Sequence, residues 1–161
     1  MDTGGDELRS IEDLKARYCR TLDLKQWDEF RDLFADDFVS DTTAAGGGVI
    51  TGADEFVAFV RRTLSTVVTV HQVQQPELEL TSPTTASGVW AMRDLLRLAP
   101  GLSMQGFGHY HETYTKTGGG WRIRSSRLTR LREDLHTPIF SVYLSDRLRR
   151  TLQRAAARRT G

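Results

Sequence analysis

Residues 102–132 read LSMQGFGHYHETYTKTGGGWRIRSSRLTRLR, two long runs joined by Thr117-Gly118-Gly119-Gly120. Aromatic and small residues alternate with polar ones along both runs, which is the two-residue period of a strand. The glycines mark a reversal, so Leu102 to Lys116 and Trp121 to Arg132 are predicted as antiparallel neighbours. Outward from there, Pro100-Gly101 sets another turn and Ala86 to Leu98 forms a third strand of the same meander. Val67 to Val73 and Glu77 to Leu80 read as two further strands, where β-branched residues replace a helical period. Strands of this length do not lie flat, so the sheet is expected to bend strongly.

The first 65 residues carry the other period. Leu8, Ile11, Leu14, Tyr18 and Leu22 recur every three or four positions, drawing one apolar stripe along a helix from Glu7 to about Asp23. A second helical segment is predicted at Trp27 to Phe34, followed by a strand from Phe38. Gly46 to Gly48 reads as a loop. Thr51-Gly52-Ala53-Asp54 reads as a capping box opening a third helix, with Phe56, Val57, Phe59, Val60 and Leu64 facing inward. A final amphipathic helix is expected at Ser145 to Arg158.

Helices first and a meander afterwards predict an α+β domain. The expected architecture is a cone-shaped barrel: a strongly curved, mostly antiparallel sheet packed on three N-terminal helices, with a C-terminal helix. Helix one then closes the mouth of a deep apolar cavity, a common kind of small-molecule site. Residues 1–6 are expected to be disordered, 7–135 to form the barrel domain, and 136–161 to form a lid and helix extension. Ile139, Phe140, Val142, Tyr143 and Leu144 are too apolar to float free and are expected to dock over the mouth or on a neighbouring subunit.

A length of 161 residues, 39% hydrophobic and 27% charged, fits one compact domain. There is no run of eighteen apolar residues, no apolar N-terminal stretch behind basic residues, and one cysteine, Cys19. These features predict a cytoplasmic protein without a membrane span, export signal or disulfide framework. The net charge of +1 is uneven: residues 141–161 hold six arginines against Asp146, while the first 140 residues hold 16 basic and 20 acidic groups. The basic excess belongs to the tail rather than to a groove, which argues against nucleic acid as a partner.

Several pieces in this order resemble the SnoaL-like branch of the nuclear transport factor 2-like superfamily. They are Tyr18 through Leu22-Asp23-Leu24-Lys25-Gln26-Trp27, Leu33 to Asp37, the Thr51 to Asp54 opener, Val70-His71-Gln72, Gly108 to Glu112, and Gly120-Trp121-Arg122-Ile123. Members of that superfamily include scytalone dehydratase, bile-acid dehydratases, a dehydrochlorinase and polyketide cyclases. The resemblance implies a place in secondary metabolism and a homodimer or homotrimer. It also implies that Asp23 and His71 stand where relatives carry an Asp at the end of helix one bonded to a His base. A carboxylate on one ring nitrogen fixes the tautomer and raises the basicity of the other. The plain alternative is a solvated helix-end Asp23 and an ordinary strand His71. The dehydratase tyrosines fall at Leu22 and Thr42 and its second histidine at Trp90, so electrophilic help must come from elsewhere.

Strand parity offers candidates for binding a substrate. Trp90, Met92 and Asp94 share one face of their strand. Tyr110 shares a face with Gly108, Glu112 and Tyr114, and Arg127 falls on the face of Trp121, Ile123 and Ser125. Arg127 suits an enolate or substrate carboxylate, or alternatively a salt bridge to Glu112 or Asp94. Tyr18, one turn before Leu22, either lines the cavity or packs in the core. His109 and His111 then point outward, which argues against a metal site.

The expected function is a cofactor-independent lyase or isomerase, dehydratase-like, acting on a cyclic or polyketide-derived carbonyl compound in a hydrophobic cone. The alternatives are a polyketide cyclase of the same family, a non-catalytic protein that binds a hydrophobic ligand, and a dimerisation module with its cone packed shut.

Overall fold

The computed structural model describes residues 3–145, together with 148 and 151. The helix expected over Ser145 to Arg158 lies outside the described residues, apart from Ser145, Leu148 and Thr151. Three helices come first: α1 (Thr3–Asp23), α2 (Trp27–Arg31) and α3 (Ala53–Leu64). Two short strands are threaded among them, β1 (Phe34–Asp41) and β2 (Val49–Thr51). The long strands follow: β3 (Val68–Ser82), β4 (Thr85–Ala99), β5 (Leu102–Thr117) and β6 (Gly120–His136), then the short β7 (Ser141–Tyr143). The sheet order is β2-β1-β6-β5-β4-β3, with β7 added to β6. Among the described residues only the β1–β6 pairing is parallel. This is the expected α+β cone, curved and mostly antiparallel, with α1 packed beside the edge strand β3.

Five boundaries differ from the sequence reading, each for a local reason. α1 starts at Thr3 rather than Glu7, because Glu7 is anchored from the sheet: Trp121 Nε1 donates to its Oε2 at 2.6 Å and Lys116 Nζ to its Oε1. α2 stops at Arg31, and Phe34 already pairs with Ile123 of β6. α3 has no capping box: Gly52 is the N-cap at φ 99°, and Asp54 instead accepts from Arg31 Nε at 2.6 Å. The two strands predicted at Val67–Val73 and Glu77–Leu80 are one, β3, interrupted by a bulge at Gln75-Pro76. Proline is tolerated there because the bulge frees its position from the ladder and β3 is an edge. Finally, the described chain just after His136, expected to begin a lid, adds a strand beside β6. Its turn at Thr137–Phe140 folds β7 back along β6, leaving Ile139, Phe140 and Tyr143 exposed.

Aromatic rings converge in the core from α1, α2, β1 and α3. Phe30, Phe34, Phe38 and Phe56 form a mutual cluster with centroids 4.5 to 6.1 Å apart, and Tyr18 joins it 5.3 Å from Phe30. Each buried ring of this kind contributes about 1.5–3 kcal/mol. These rings take up part of the cone, and a pocket opens near its α1–β3 edge. No helix among the described residues is long and apolar enough to cross a membrane.

Two β-bulges in β6 decide which side chains face inward. Between Thr113↔Ser125 and Tyr114↔Ile123 the extra residue is Arg124; between Phe107↔Arg132 and Gly108↔Arg130 it is Leu131. An inserted residue switches the face presented by everything after it. Trp121 and Ile123 point in, but beyond Arg124 the inward set is Ser126, Leu128 and Arg130. Arg127 is consequently exposed on the outer face, correcting its expected place in the lining.

Candidate functional site

The end of α1 meets the start of β3 at the sheet edge. α1 closes with a Schellman turn: Lys25 N–H donates to Leu22 O at 3.2 Å and Gln26 N–H to Thr21 O at 2.9 Å, with Lys25 in left-handed backbone at φ 61°. The turn leaves Asp23 facing β3. Its Oδ2 accepts the backbone N–H of His71 at 2.7 Å, and its Oδ1 accepts from Thr69 Oγ1 at 2.9 Å. The same Oδ1 lies 2.7 Å from His71 Nδ1. A carboxylate only accepts, so Nδ1 carries the proton and Nε2 of the neutral ring keeps its lone pair. Burial pushes the Asp23 carboxyl up, but the bonds from the His71 ring and backbone and from Thr69 outweigh it and hold the group below the usual carboxylate range.

The His71 side chain is 7% exposed and that of Asp23 21%, so the pair is sheltered from water without being sealed. His71 lines a pocket of about 480 Å³ together with Glu12, Ala16 and Cys19 of α1, Val73 of β3 and Trp90 of β4. Among the described residues, Nε2 of His71 has no hydrogen-bond partner. Burial pushes the Cys19 thiol up to about 11, which keeps it protonated and makes it a wall rather than a nucleophile.

Behind this wall lie two further polar groups. Lys15 Nζ donates to Glu112 Oε1 at 2.6 Å and sits 3.9 and 4.1 Å from the ring centroids of Tyr18 and Tyr110. Glu112 also accepts from Ser126 at 3.0 Å and from the Tyr114 hydroxyl at 2.6 Å, which itself accepts from Trp90 Nε1 at 2.7 Å. Deeper along the sheet, Arg130 donates to both oxygens of Asp94, at 3.0 and 2.6 Å, and its Nε lies 3.3 Å from Glu133.

Of the residues singled out from sequence, Asp23 and His71 meet and Trp90 joins them on the pocket wall. Tyr18, Met92, Asp94 and Tyr110 are buried inside the cone, behind the pocket lining. Both acids weighed as partners for Arg127 are taken, Glu112 by Lys15 and Asp94 by Arg130. His109 and His111 lie on the outer face, where His111 Nε2 is 3.1 Å from Thr129 Oγ1. Sequence reasoning missed Thr69, Lys25, Lys15 and Arg130. Thr69 was readable, since it stands two residues before His71 and shares its face. So was Lys15, which breaks the apolar stripe between Leu14 and Tyr18. Arg130 was not, because nothing in the sequence marks the bulge at Arg124.

Comparison with known proteins places the chain in a family and a fold. A probable cyclase of Gibberella zeae is 31% identical over 133 residues, covering 75% of this chain and 89% of that protein. The crystal structure of a candidate scytalone dehydratase from Novosphingobium aromaticivorans superposes with a TM-score of 0.74 at 23% identity, covering 82% of this chain and 89% of that one. A hexachlorocyclohexane dehydrochlorinase from Novosphingobium barchaimii gives 0.68 at 18% identity, over 86% and 90%. At such identities the two structures speak for the fold, which hosts many chemistries. The SnoaL-like domain itself matches residues 6–127, three quarters of the chain, and this chain belongs to the SnoaL-like family.

Proposed function

We propose that this protein is a lyase or cyclase-type enzyme, working without a cofactor, in which His71 is the base and Asp23 its anchor. The observation that carries this reading is the 2.7 Å contact between His71 Nδ1 and Asp23 Oδ1 beside a pocket, with Nε2 unpaired among the described residues. The substrate is a cyclic or polyketide-derived carbonyl compound, in keeping with the cyclase and dehydratase relatives. Nε2 removes the proton next to the carbonyl, and the electron pair moves into an enolate. In a dehydration, the enolate collapses with loss of the β-hydroxyl, which leaves as water with the proton held on Nε2, and a carbon–carbon double bond forms. A cyclisation uses the same first step: the enolate carbon attacks a second carbonyl carbon of the same molecule, the C=O π pair moves onto oxygen, and the resulting alkoxide takes the proton from Nε2.

Tyr110, the sequence candidate for the enolate oxygen, lies behind the pocket lining opposite Trp90 and does not border the space beside His71. Burial pushes its hydroxyl well above the usual range, so it stays a hydrogen-bond donor and does not compete as a base. The test follows the shared first step. A panel of cyclic ketones and polyketide-like diketones is incubated in D2O, and deuterium entry at the α-carbon is followed by NMR. Exchange by the native protein should fall about 10²–10⁴-fold in His71→Ala and strongly in Asp23→Asn. Exchange unaffected by His71→Ala overturns the assignment. Ligand binding without exchange, equal in both proteins, identifies a binding protein instead.

A further inference from the structure

Asp23 has a third contact besides those with the His71 ring and backbone, and it leads away from the pocket to a cation. Lys25 Nζ donates to Thr69 Oγ1 at 2.8 Å, and Thr69 Oγ1 donates to Asp23 Oδ1 at 2.9 Å. An ammonium has no lone pair, so Lys25 can only give. The Thr69 hydroxyl must then accept from Lys25 and send its own proton to Asp23. A threonine without that partner could turn to accept from a neighbour or point its proton elsewhere.

The backbone at Lys25 is a second, independent observation. Position C′ of a Schellman turn is where glycine is favoured, because its left-handed conformation crowds a Cβ. A lysine here, at φ 61°, holds a strained conformation. In return its side chain runs back along β3 to the buried Thr69. Burial pulls the Lys25 ammonium below its usual range while Asp23 opposes the shift, as expected for a cation drawn in toward a carboxylate.

We infer that Lys25 and Thr69 are positioning residues for the His71–Asp23 pair: Lys25, acting through the Thr69 hydroxyl, fixes the third hydrogen bond on Asp23 and lowers the basicity that Asp23 passes to His71. This inference rests on His71 being the base. A carboxylate sharing its charge with three donors gives less of it to the imidazole, and a nearby cation disfavours imidazolium. Both effects bias the ring toward its neutral, proton-accepting form. The other charged or titratable groups around His71 are Glu12 and Cys19 of α1 and Arg93 and Asp94 of β4, and none of them bonds to Asp23.

The imidazole of His71 in the full chain, assigned among the four histidines by its loss in His71→Ala, can be titrated by NMR without any substrate. Lys25→Met and Thr69→Val are each expected to raise its midpoint by about half a pH unit or more, a threefold change in protonation. The double variant should move no further than the larger single change, because both act through one hydroxyl. Lys25→Gly separates charge from fold: it suits the left-handed turn, so the melting temperature should hold or rise while the midpoint still moves up. An unmoved midpoint in Lys25→Met and Lys25→Gly overturns the inference, and so does a shift in Lys25→Met with none in Thr69→Val. A shifted midpoint together with α-deuterium exchange that ignores His71 defeats the catalytic reading while leaving the coupling intact.

Discussion

Lys15 with Glu112 and His71 with Asp23 are both ionisable pairs that tie α1 to the sheet, with closest contacts of 2.6 and 2.7 Å. The first has no exposure on either side chain. Lys15 is spent on Glu112 and two tyrosine faces, and Glu112 on Lys15, Ser126 and Tyr114. The second keeps one ring nitrogen without a partner among the described residues and borders a pocket. The same kinds of group thus serve cohesion where every valence is filled and chemistry where one is left open. Trp90 separates the two, with Nε1 tied to the sealed network and its ring on the pocket wall.

The sealed pair gives the largest effect on stability. Glu112→Ala strands an ammonium at zero exposure and is expected to cost about 3–5 kcal/mol. At this chain length that lowers Tm by roughly 6–20 °C. Lys15→Met combined with Glu112→Leu removes both charges and should recover most of the loss. His71→Ala, by contrast, removes the open pair at a cost of about 1 kcal/mol, one modest hydrogen bond. Differential scanning calorimetry on the four proteins decides the matter. Equal losses from Glu112→Ala and His71→Ala would erase the distinction between the pairs.

The pair at Asp94 and Arg130 sharpens the comparison, because it is sealed by backbone as well as by side chains. A Cβ on Gly106 would collide with Asp94 Oδ1 and Arg130 Nη1. Gly106→Ala should therefore push the two apart and cost about 1–3 kcal/mol, read from the urea midpoint, with α-deuterium exchange at the His71 pocket reduced far less than in His71→Ala. A stability unchanged by this alanine would show that Arg130 has room to give.

These pairs also show what could be read from sequence. The switch from a period of 3.6 to a period of 2 near Leu64 is a local signal, and it yielded the helices, the meander and the α+β class. Asp23 and His71 came from resemblance, aided by their positions at a helix end and an early strand. Arg127 failed, and Arg130 went unseen, because parity counting assumes an unbroken strand and β6 holds extra residues at Arg124 and Leu131. Bulges are fixed by pairing across the sheet, which no single strand records. How far aromatic rings fill the cone was hidden for a similar reason: the phenylalanines of α2, β1 and α3 converge only in three dimensions.

The smallest effect separates the pairs by pH. Asp23 titrates below its ordinary range in the folded protein, mainly through bonds from His71 and Thr69 that win over burial. A carboxyl with a depressed folded value adds stability above its unfolded value, roughly 3.9, and loses that contribution as pH falls through the lower folded value. Native protein should therefore lose stability progressively below about pH 4, and Asp23→Asn should lose less over the same interval. Glu7, Asp41 and Asp54 are also held low, by Lys116, Thr43 and Arg31 respectively, and they contribute the same slope in both proteins. Only the difference between the two curves belongs to Asp23. If the curves stay parallel from pH 6 to pH 2.5, the bonds that Asp23 receives from His71 and Thr69 do not favour its charged form, and the anchoring of His71 fails with them.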